Sequence, residues 1–295
     1  MFYERIASNK RKTIFLLLVF FLFVMAVAGA ITYLVDLGWI GLMVAAVLAA
    51  VATFTSYWNS DKLVLALAGA KPADPVRYAR LHNLVESMAL AAGIPKPKVY
   101  VVEDPAPNAF ATGRDPKHAA IAVTTGLLEI MNRVELEGVI AHEMSHIRNY
   151  DILVGAVAAV LAGLVVIAAD LSLRMLWWGG GRRRGSSRSA NPIIFALALI
   201  TLILAPLGAA VIQAAISRRR ESLADFSAVE LTRYPPGLIS ALKKLRDNPT
   251  VVKRHSNSIA HLYIEAPEDR ERSWINRLFD THPPLEERIR ALEEL

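Results

Sequence analysis

Two long apolar runs near the amino terminus constrain the fold of this chain more than any other feature. They cover residues 13–35 and 39–58, and only a short turn at residues 36–38 separates them. A transmembrane helix needs about 20 mostly apolar residues, so each run is long enough to cross a bilayer. The composition agrees, because 54% of all residues are hydrophobic. The pattern therefore predicts a tight transmembrane hairpin.

Basic residues flank this hairpin and predict its orientation. They are Arg5, Lys10, Arg11 and Lys12 before the first run, and Lys62, Lys71, Arg77 and Arg80 after the second. Cytoplasmic flanks of membrane helices carry an excess of Lys and Arg, so both flanks are expected in the cytoplasm. A cleaved signal peptide ending near residues 28–30 is the alternative. The length of the first run and the second run directly after it disfavour that alternative.

Two further apolar runs, at residues 152–169 and 192–216, follow in the second half of the chain. The linker between them, residues 179–188, is rich in glycine and arginine. If both runs cross, this basic linker lies on the outer side, against the usual charge preference. We expect four spans in total. A hairpin that does not fully cross, or a buried core helix for the third run, remains the alternative.

The composition also excludes some kinds of site and partner. The chain has no cysteine, so it forms no disulfide and any metal must be held by His, Asp or Glu. Its net charge is +6, and the basic excess lies beside the apolar runs. This placement favours contact with the lipid bilayer and control of topology over nucleic-acid binding.

The motif His142-Glu143-Met144-Ser145-His146 indicates a metal site. Two histidines four residues apart on a helix project from one face and can hold one Zn²⁺, while the adjacent glutamate reaches a metal-bound water. Asn132, with Glu135 three residues on, predicts the start of this helix as a capping box. The pattern is typical of a metal-dependent peptidase.

A third metal ligand is required, because catalytic zinc usually keeps three protein ligands and one open position. The extended motif with a glycine and a third histidine is absent, since Asn149 and Ile152 stand at those positions. Glu221 is the best candidate, and Asp225, one turn further on, is expected to hydrogen-bond a ligand histidine. The alternative is that Glu221 only offsets the three arginines before it on a solvated helix face. If Glu221 is a ligand, residues 152–217 must return to the side of the membrane that they left.

The remaining pattern predicts a small sheet among helices. Strands are expected at residues 98–102, 110–112 and 119–123, and helices at 75–92, 132–149, 223–231, 237–245 and from about 283 onwards. The predicted fold class is mainly α and integral to the membrane, with transmembrane helices joined to an α+β catalytic domain that contains the metal-motif helix.

Four motifs in order resemble one known family. H-E-M-S-H, E-S-L-A-D, P-N-A-F-A-T-G at residues 107–113 and T-H-P-P-L-E-E-R-I at residues 281–289 follow one another as in the HtpX heat-shock membrane proteases. The wider group includes the CAAX prenyl endopeptidases, and the resemblance covers nearly the whole chain. It implies a zincin-like endopeptidase in the cytoplasmic membrane of a prokaryote that cuts damaged membrane proteins on the cytosolic side, and sometimes itself. Ala106 departs slightly from the family pattern, and the arginine cluster at residues 182–184 has no match in it.

The resemblance and the motifs together give an expected division of the chain and expected roles. Residues 1–60 form a basic segment and transmembrane hairpin, residues 61–151 and 218–295 form the two parts of a cytosolic zinc-protease domain, and residues 152–217 form a second hydrophobic hairpin. One Zn²⁺ per chain is held by His142, His146 and Glu221, and Glu143 is the general base. His282 is the expected oxyanion donor, with Arg288 behind it as one of the expected substrate-binding residues. The alternatives are a helix-start residue for His282 and an ordinary ion-pair residue for Arg288.

The segment Asn108, Ala109 and Phe110 is the candidate for binding a polypeptide substrate along a strand edge, and a purely structural strand is its alternative. The expected partners are polypeptides, membrane proteins above all, and the lipid bilayer; the sequence gives no oligomeric state. The main competing function is a non-enzymatic membrane scaffold with a structural metal site. Glu143, which a structural site does not require, argues against it.

Overall fold

The computed structural model describes residues 7–18, 21–22, 25, 38–159, 218–248, 262–264 and 284–295. The fourth apolar run, the basic linker and most of the third run lie outside the described residues, as does the end of the first run. Predictions that concern those segments stay predictions.

Helix α1, Gly38–Trp58, corresponds to the second predicted run. Its residues Gly38–Thr55 have a mean hydropathy of 2.0, and only 6% of that stretch is buried. Among the described residues it is the one helix that is long and apolar enough to cross a membrane. Residues 7–18 are also helical, and the membrane hairpin stays a prediction.

The carboxyl end of α1 contacts Arg114, which directly follows a strand. The Arg114 guanidinium lies 4.4 Å from the centre of the Trp58 ring, and its Nη1 donates to the Trp58 carbonyl at 3.4 Å. A cation at a helix carboxyl terminus is stabilised by the helix dipole. Helix α2, Ser60–Leu67, follows directly and packs against the sheet.

The sheet has four strands: β1, Lys71–Pro72; β2, Lys98–Val102; β3, Ala109–Gly113; and β4, Ala119–Thr124. Their order is β1-β2-β4-β3, with β2 and β4 parallel and the other pairs antiparallel. The three predicted strands are confirmed to within one residue at each end. β1 was not predicted, because two residues carry no periodicity. The order places β3 at one edge of the sheet.

The helices form most of the described structure. They are α3, Ala79–Ala92; α4, Thr125–Ile130; α5, Arg133–Arg148; α6, Arg218–Thr232; α7, Pro235–Asp247; and α8, Leu285–Glu293. The prediction of a helix from residue 75 was wrong by one turn, because the Asp74 carboxylate accepts from the backbone N–H groups of Val76 and Arg77 and holds a turn there. The predicted end at Gly93 is confirmed, with a left-handed φ of 68°.

Helix α5 lies at the centre of the core and packs against α3, α6, α7 and β3. Its fully buried apolar side chains include Leu136, Val139, Ile140 and Met144. At Gly138 a Cβ atom would come within 2.9 Å of the Leu238 backbone, so only glycine lets α7 approach α5 this closely. The metal-motif residues are therefore carried by the most tightly enclosed helix of the described structure.

Candidate metal centre

The start of α5 is set by the predicted capping box. The Asn132 side chain accepts from the backbone N–H groups of Val134 and Glu135, and the Glu135 carboxylate accepts from the backbone N–H of Asn132. This start fixes which helix face carries the residues that follow. His142 and His146 then project from one face, as their spacing predicts.

The two imidazoles point towards each other. His142 Nε2 lies 3.2 Å from His146 Nε2, and the ring centres are 4.8 Å apart. His142 is buried, and 15% of the His146 side chain is exposed. An ion between these two nitrogens would thus be sheltered from solvent, with His146 the more exposed of the two.

Helix α6 brings the third predicted residue to the same point. Glu221 Oε2 lies 3.6 Å from His142 Nε2, and Glu221 Oε1 lies 3.6 Å from His146 Nε2. The three ligand atoms all lie within 4.8 Å of one another. The structure therefore brings together His142, His146 and Glu221, although 75 positions or more of sequence separate the glutamate from the histidines.

These separations fit a tetrahedral metal ion. Nitrogen and oxygen ligands about 2.0–2.1 Å from zinc, at tetrahedral angles, stand about 3.3 Å apart. The observed separations are 3.2 Å between the two nitrogens and 3.6 Å from each nitrogen to one of the two Glu221 oxygens, and both lie close to that value. Two imidazoles and one carboxylate are also the ligand types of catalytic zinc sites.

Carboxylates behind the histidines fix which nitrogen is available. His142 Nδ1 lies 2.9 Å from Asp225 Oδ1, as predicted for Asp225, and His146 Nδ1 lies 3.3 Å from Asp151 Oδ2. A carboxylate neighbour keeps the hydrogen on Nδ1, so Nε2 of each ring presents a lone pair. Two lone pairs that face each other at 3.2 Å repel unless a proton or a metal cation lies between them. The donor set is therefore arranged for a metal.

Asp151 is a site residue that the sequence reasoning missed. Its only signal was an acidic residue five positions after the second histidine, at the point where the apolar run begins. The contact depends on a sharp turn at Tyr150, which has a left-handed φ of 62°. Spacing alone does not predict such a turn in a non-glycine residue.

Arg288 stabilises the carboxylate behind His142. Its Nε donates to Asp225 Oδ2 at 2.8 Å and its Nη2 to Asp225 Oδ1 at 2.6 Å, in a fully buried bidentate pair. Burial alone would raise the pKa of Asp225, but Arg288 and His142 outweigh it and lower that pKa to about 2. Arg288 thus lies behind the metal centre and contacts Asp225 rather than an open cleft. Its predicted role in substrate binding stays a prediction.

The electrostatics of the pocket favour positive charge at the histidines. Burial alone would lower the pKa of His142. The hydrogen bonds to Asp225 and Glu221 outweigh burial and raise that pKa to about 9. The pKa of His146 is also raised: burial lowers it, and Glu221 and Asp151 overcome that effect. The carboxylates that stabilise a proton here would equally stabilise a divalent cation.

Glu143 lies beside the ligands and faces strand β3. Its side chain is buried. Burial raises the pKa of Glu143 above its ordinary value, although the two histidines and the backbone N–H of Ala111 act in the opposite direction. A carboxylate with a raised pKa is a better proton acceptor. His282 lies outside the described residues, so its role as oxyanion donor stays a prediction.

The predicted substrate-binding residues lie at the edge strand. Asn108 is buried, and its Oδ1 accepts from the backbone N–H of Ala109. The Ala109 carbonyl accepts from the backbone N–H of Ile264 at 3.0 Å, and the Phe110 ring packs edge-on against Tyr263, with centres 5.2 Å apart. Residues 262–264 therefore cover the first half of the β3 edge. A substrate role for Asn108, Ala109 and Phe110 stays a prediction.

Comparisons with known proteins agree with this geometry. The sequence profile of peptidase family M48 matches residues 75–295. A protein named "Protease HtpX homolog" from Caldanaerobacter subterraneus is 47% identical over 295 residues, covering 99% of this chain and 97% of its own length. A protein of the same name from Streptococcus mutans is 45% identical over 305 residues and covers both chains fully.

The crystal structure of S. mikatae Ste24p is similar in fold. The TM-score is 0.50 at 21% sequence identity, and the match covers 84% of this chain and 57% of that one. At this identity the likeness concerns the fold alone. The sequence comparisons are far stronger, and they show that this chain belongs to peptidase family M48 and, within it, to the HtpX proteases.

Proposed function

We propose that the chain is a membrane-bound, zinc-dependent endopeptidase that cleaves damaged or misfolded membrane proteins on the cytosolic side. One observation carries the proposal: two imidazole nitrogens and the two oxygens of one carboxylate converge at 3.2–3.6 Å beside a buried glutamate, in a member of a peptidase family. A hydrolytic site needs both parts, a metal position and a proton acceptor.

The residues divide the chemistry between them. His142, His146 and Glu221 would hold the ion, which when bound acidifies water and polarises a carbonyl. Glu143 takes a proton from the attacking water and later delivers it to the leaving amine. Asp225 and Asp151 keep the two imidazoles in the required tautomer. His282 is proposed to donate a hydrogen bond to the oxyanion.

Strand β3 supports the proposed mode of substrate binding. The Asn108 carbonyl accepts from Thr124 of β4, whereas the Ala109 carbonyl points to the open side of the sheet and accepts from Ile264. Backbone groups alternate along an antiparallel strand, so those of Ala111 also face the open side. The Ala111 N–H is next to Glu143. An extended substrate that pairs with β3 here would reach the proton acceptor without any demand on its own sequence.

The membrane setting supports the choice of substrate. Helix α1 has the length and hydropathy of a membrane span, and its end is fixed to the catalytic part by Arg114. Basic flanks on both sides of the predicted hairpin favour a cytosolic catalytic domain. A site held this close to the cytoplasmic membrane of a prokaryote suits membrane proteins as substrates, and a quality-control role under stress follows the HtpX relatives.

The test is proteolysis by the full chain in detergent micelles, with zinc content measured on the same samples. Metal-free protein, zinc-reloaded protein and Glu143→Gln are each offered an unfolded soluble polypeptide and a detergent-solubilised membrane protein. Zinc should restore cleavage. Glu143→Gln should keep its zinc but cleave about 10²–10⁴-fold more slowly, because an amide cannot accept the proton.

Glu137→Gln is the matched control, since Glu137 lies on the same helix outside the ligand cluster. It should cleave like the parent protein. Full zinc occupancy without cleavage of either substrate by any form would overturn the proposal and favour the scaffold with a structural metal site.

A further inference from the structure

The amino-terminal segment reaches the metal centre. Asn9 lies in the helical residues 7–18, before the first apolar run begins at residue 13, and only 5% of it is exposed. Its amide nitrogen donates to the Asn149 carbonyl at 2.9 Å and to Asp151 Oδ1 at 2.8 Å. Both hydrogens of the amide are thus used by acceptors about 140 residues away in sequence. Asn9 also lies outside the segment that the family profile matches, residues 75–295.

Asp151 connects Asn9 to a ligand histidine. One carboxylate oxygen, Oδ1, accepts from Asn9, and the other, Oδ2, lies 3.3 Å from His146 Nδ1. Arg220 is more distant, with its Nη1 3.9 Å from Oδ1. An acceptor that holds the second nitrogen of a ligand histidine sets the orientation of the ring. The position of the Asp151 carboxylate therefore depends on Asn9.

The backbone between these contacts is unusual. Tyr150 has a left-handed φ of 62°, a conformation that costs a non-glycine residue free energy and persists only where its surroundings impose it. Asn9 binds the carbonyl just before this residue and the carboxylate just after it. Lys10 adds a second contact, with its ammonium 4.8 Å from the centre of the Tyr150 ring. The amino-terminal helix thus clamps the turn that brings Asp151 back to His146.

We infer that Asn9 is a positioning residue of the metal centre, which acts through Asp151 on His146. The inference rests on the proposed role of His146 as a metal ligand. It means that the site is complete only when the segment before the predicted membrane hairpin is docked against the catalytic part. The competing explanation is that Asn9 merely attaches the amino-terminal helix and contributes to stability.

The experiment measures the zinc Kd of the full chain in detergent, by competition with a chromophoric chelator. The variants are Asn9→Ala, Asn9→Asp, Asp151→Asn and the double variant Asn9→Ala/Asp151→Asn, with Ser8→Ala as the matched control on the same helix. Thermal unfolding of the metal-free forms reports stability separately. Cleavage kinetics on the same samples separate kcat from KM.

Asp151→Asn should raise the zinc Kd about 10–100-fold, and Asn9→Ala should raise it by less, about 10-fold at most. Asn9→Asp should bind zinc more weakly than Asn9→Ala, since it places a second carboxylate against Asp151. The double variant should fall short of the product of the two single effects, because Asn9 acts on the metal through Asp151. The kcat of Asn9→Ala should fall with KM unchanged.

A wild-type zinc Kd in Asn9→Ala would overturn the inference, even if its thermal midpoint fell. Independent, multiplicative effects of the two substitutions would also overturn it. Failure of the parent protein to bind zinc would contradict the proposed function itself, so the two failures are distinguishable.

Discussion

The two ends of helix α5 both bury polar side chains, but they differ in what those side chains face. At the amino end, the Glu135 carboxylate accepts from Ser240 at 2.6 Å, from Lys244 at 2.7 Å and from the backbone of Asn132 at 2.8 Å. At the carboxyl end, two imidazole nitrogens and the Glu221 carboxylate face one another at 3.2–3.6 Å.

The difference separates a structural network from a binding site. At the amino end every acceptor faces a donor supplied by the protein, so nothing further is needed to stabilise the buried charge. At the carboxyl end the lone pairs converge on one point, which favours a cation there. The carboxylates at the two ends are buried to a similar degree, and the direction of the donors and acceptors around them distinguishes the structural end from the functional end.

The largest expected effect on zinc binding comes from removing a ligand at the carboxyl end of α5. Glu221→Ala removes one of the three protein ligands that a catalytic zinc site requires, so stoichiometric zinc and zinc-dependent cleavage should both be lost. Zinc content after dialysis against a metal buffer measures this. Glu230→Ala, an exposed position on the same helix, is the control and should retain zinc. Full zinc content in Glu221→Ala would remove Glu221 from the ligand set.

A smaller effect on zinc affinity is expected from Asp225, which contacts a ligand histidine. Asp225→Asn weakens the acceptor on His142 Nδ1, 2.9 Å away, and should raise the zinc Kd about 10–100-fold. Chelator competition measures the constant. An unchanged Kd would show that Asp225 serves only its ion pair with Arg288.

A substitution at the amino end of α5 should change stability instead of metal binding. Glu135→Gln replaces a buried carboxylate that pairs with Lys244, so the free energy of unfolding should fall by about 1–3 kcal/mol. Zinc affinity should not change. Glu137→Gln on the same helix is the control for both measurements. A change in zinc Kd in Glu135→Gln would mean that the two ends of α5 are coupled.

The smallest effect is a dependence of stability on pH at the amino end of α5, where Glu135 lies. Burial raises the pKa of Glu135, but the hydrogen bonds from Lys244, Ser240 and Asn132 outweigh it and hold the pKa below its ordinary value of 4.5. Because the folded state prefers the carboxylate, this contribution to stability is present above pH 4.5 and is lost as the pH falls through the folded value.

The difference in thermal midpoint between the parent protein and Glu135→Gln should therefore shrink between pH 7 and pH 4. Measurements on metal-free protein keep zinc dissociation out of the comparison. A difference that stays constant over this range would contradict the assigned role of the carboxylate.

Local patterns predicted much of the fold. The capping box at Asn132, the end of α3 at Gly93 and the strand at residues 98–102 each follow from a few neighbouring residues, and each is confirmed. β1 and α4 were missed because short segments carry too little periodicity. Helix α1 has the length and hydropathy of a membrane span, and the predicted crossings, including those on segments outside the described residues, stay predictions.

The candidate site was predictable where one motif or one missing ligand constrained it. The histidine spacing and the need for a third ligand led to Glu221, and the structure brings these residues together. Asp151 and Asn9 were not predictable. Their contacts depend on a left-handed backbone at Tyr150 and on two segments about 140 residues apart, and neither leaves a periodic signal.

X-ray absorption at the zinc edge of the purified full chain tests the central claim most directly. The account predicts a four-coordinate ion with nitrogen and oxygen ligands at about 2.0–2.2 Å, including two imidazoles. It also predicts that Glu221→Ala loses this signal while Glu135→Gln keeps it unchanged. A six-coordinate spectrum of oxygen ligands, without imidazole scattering, would contradict the claim that the carboxyl end of α5 is a metal centre.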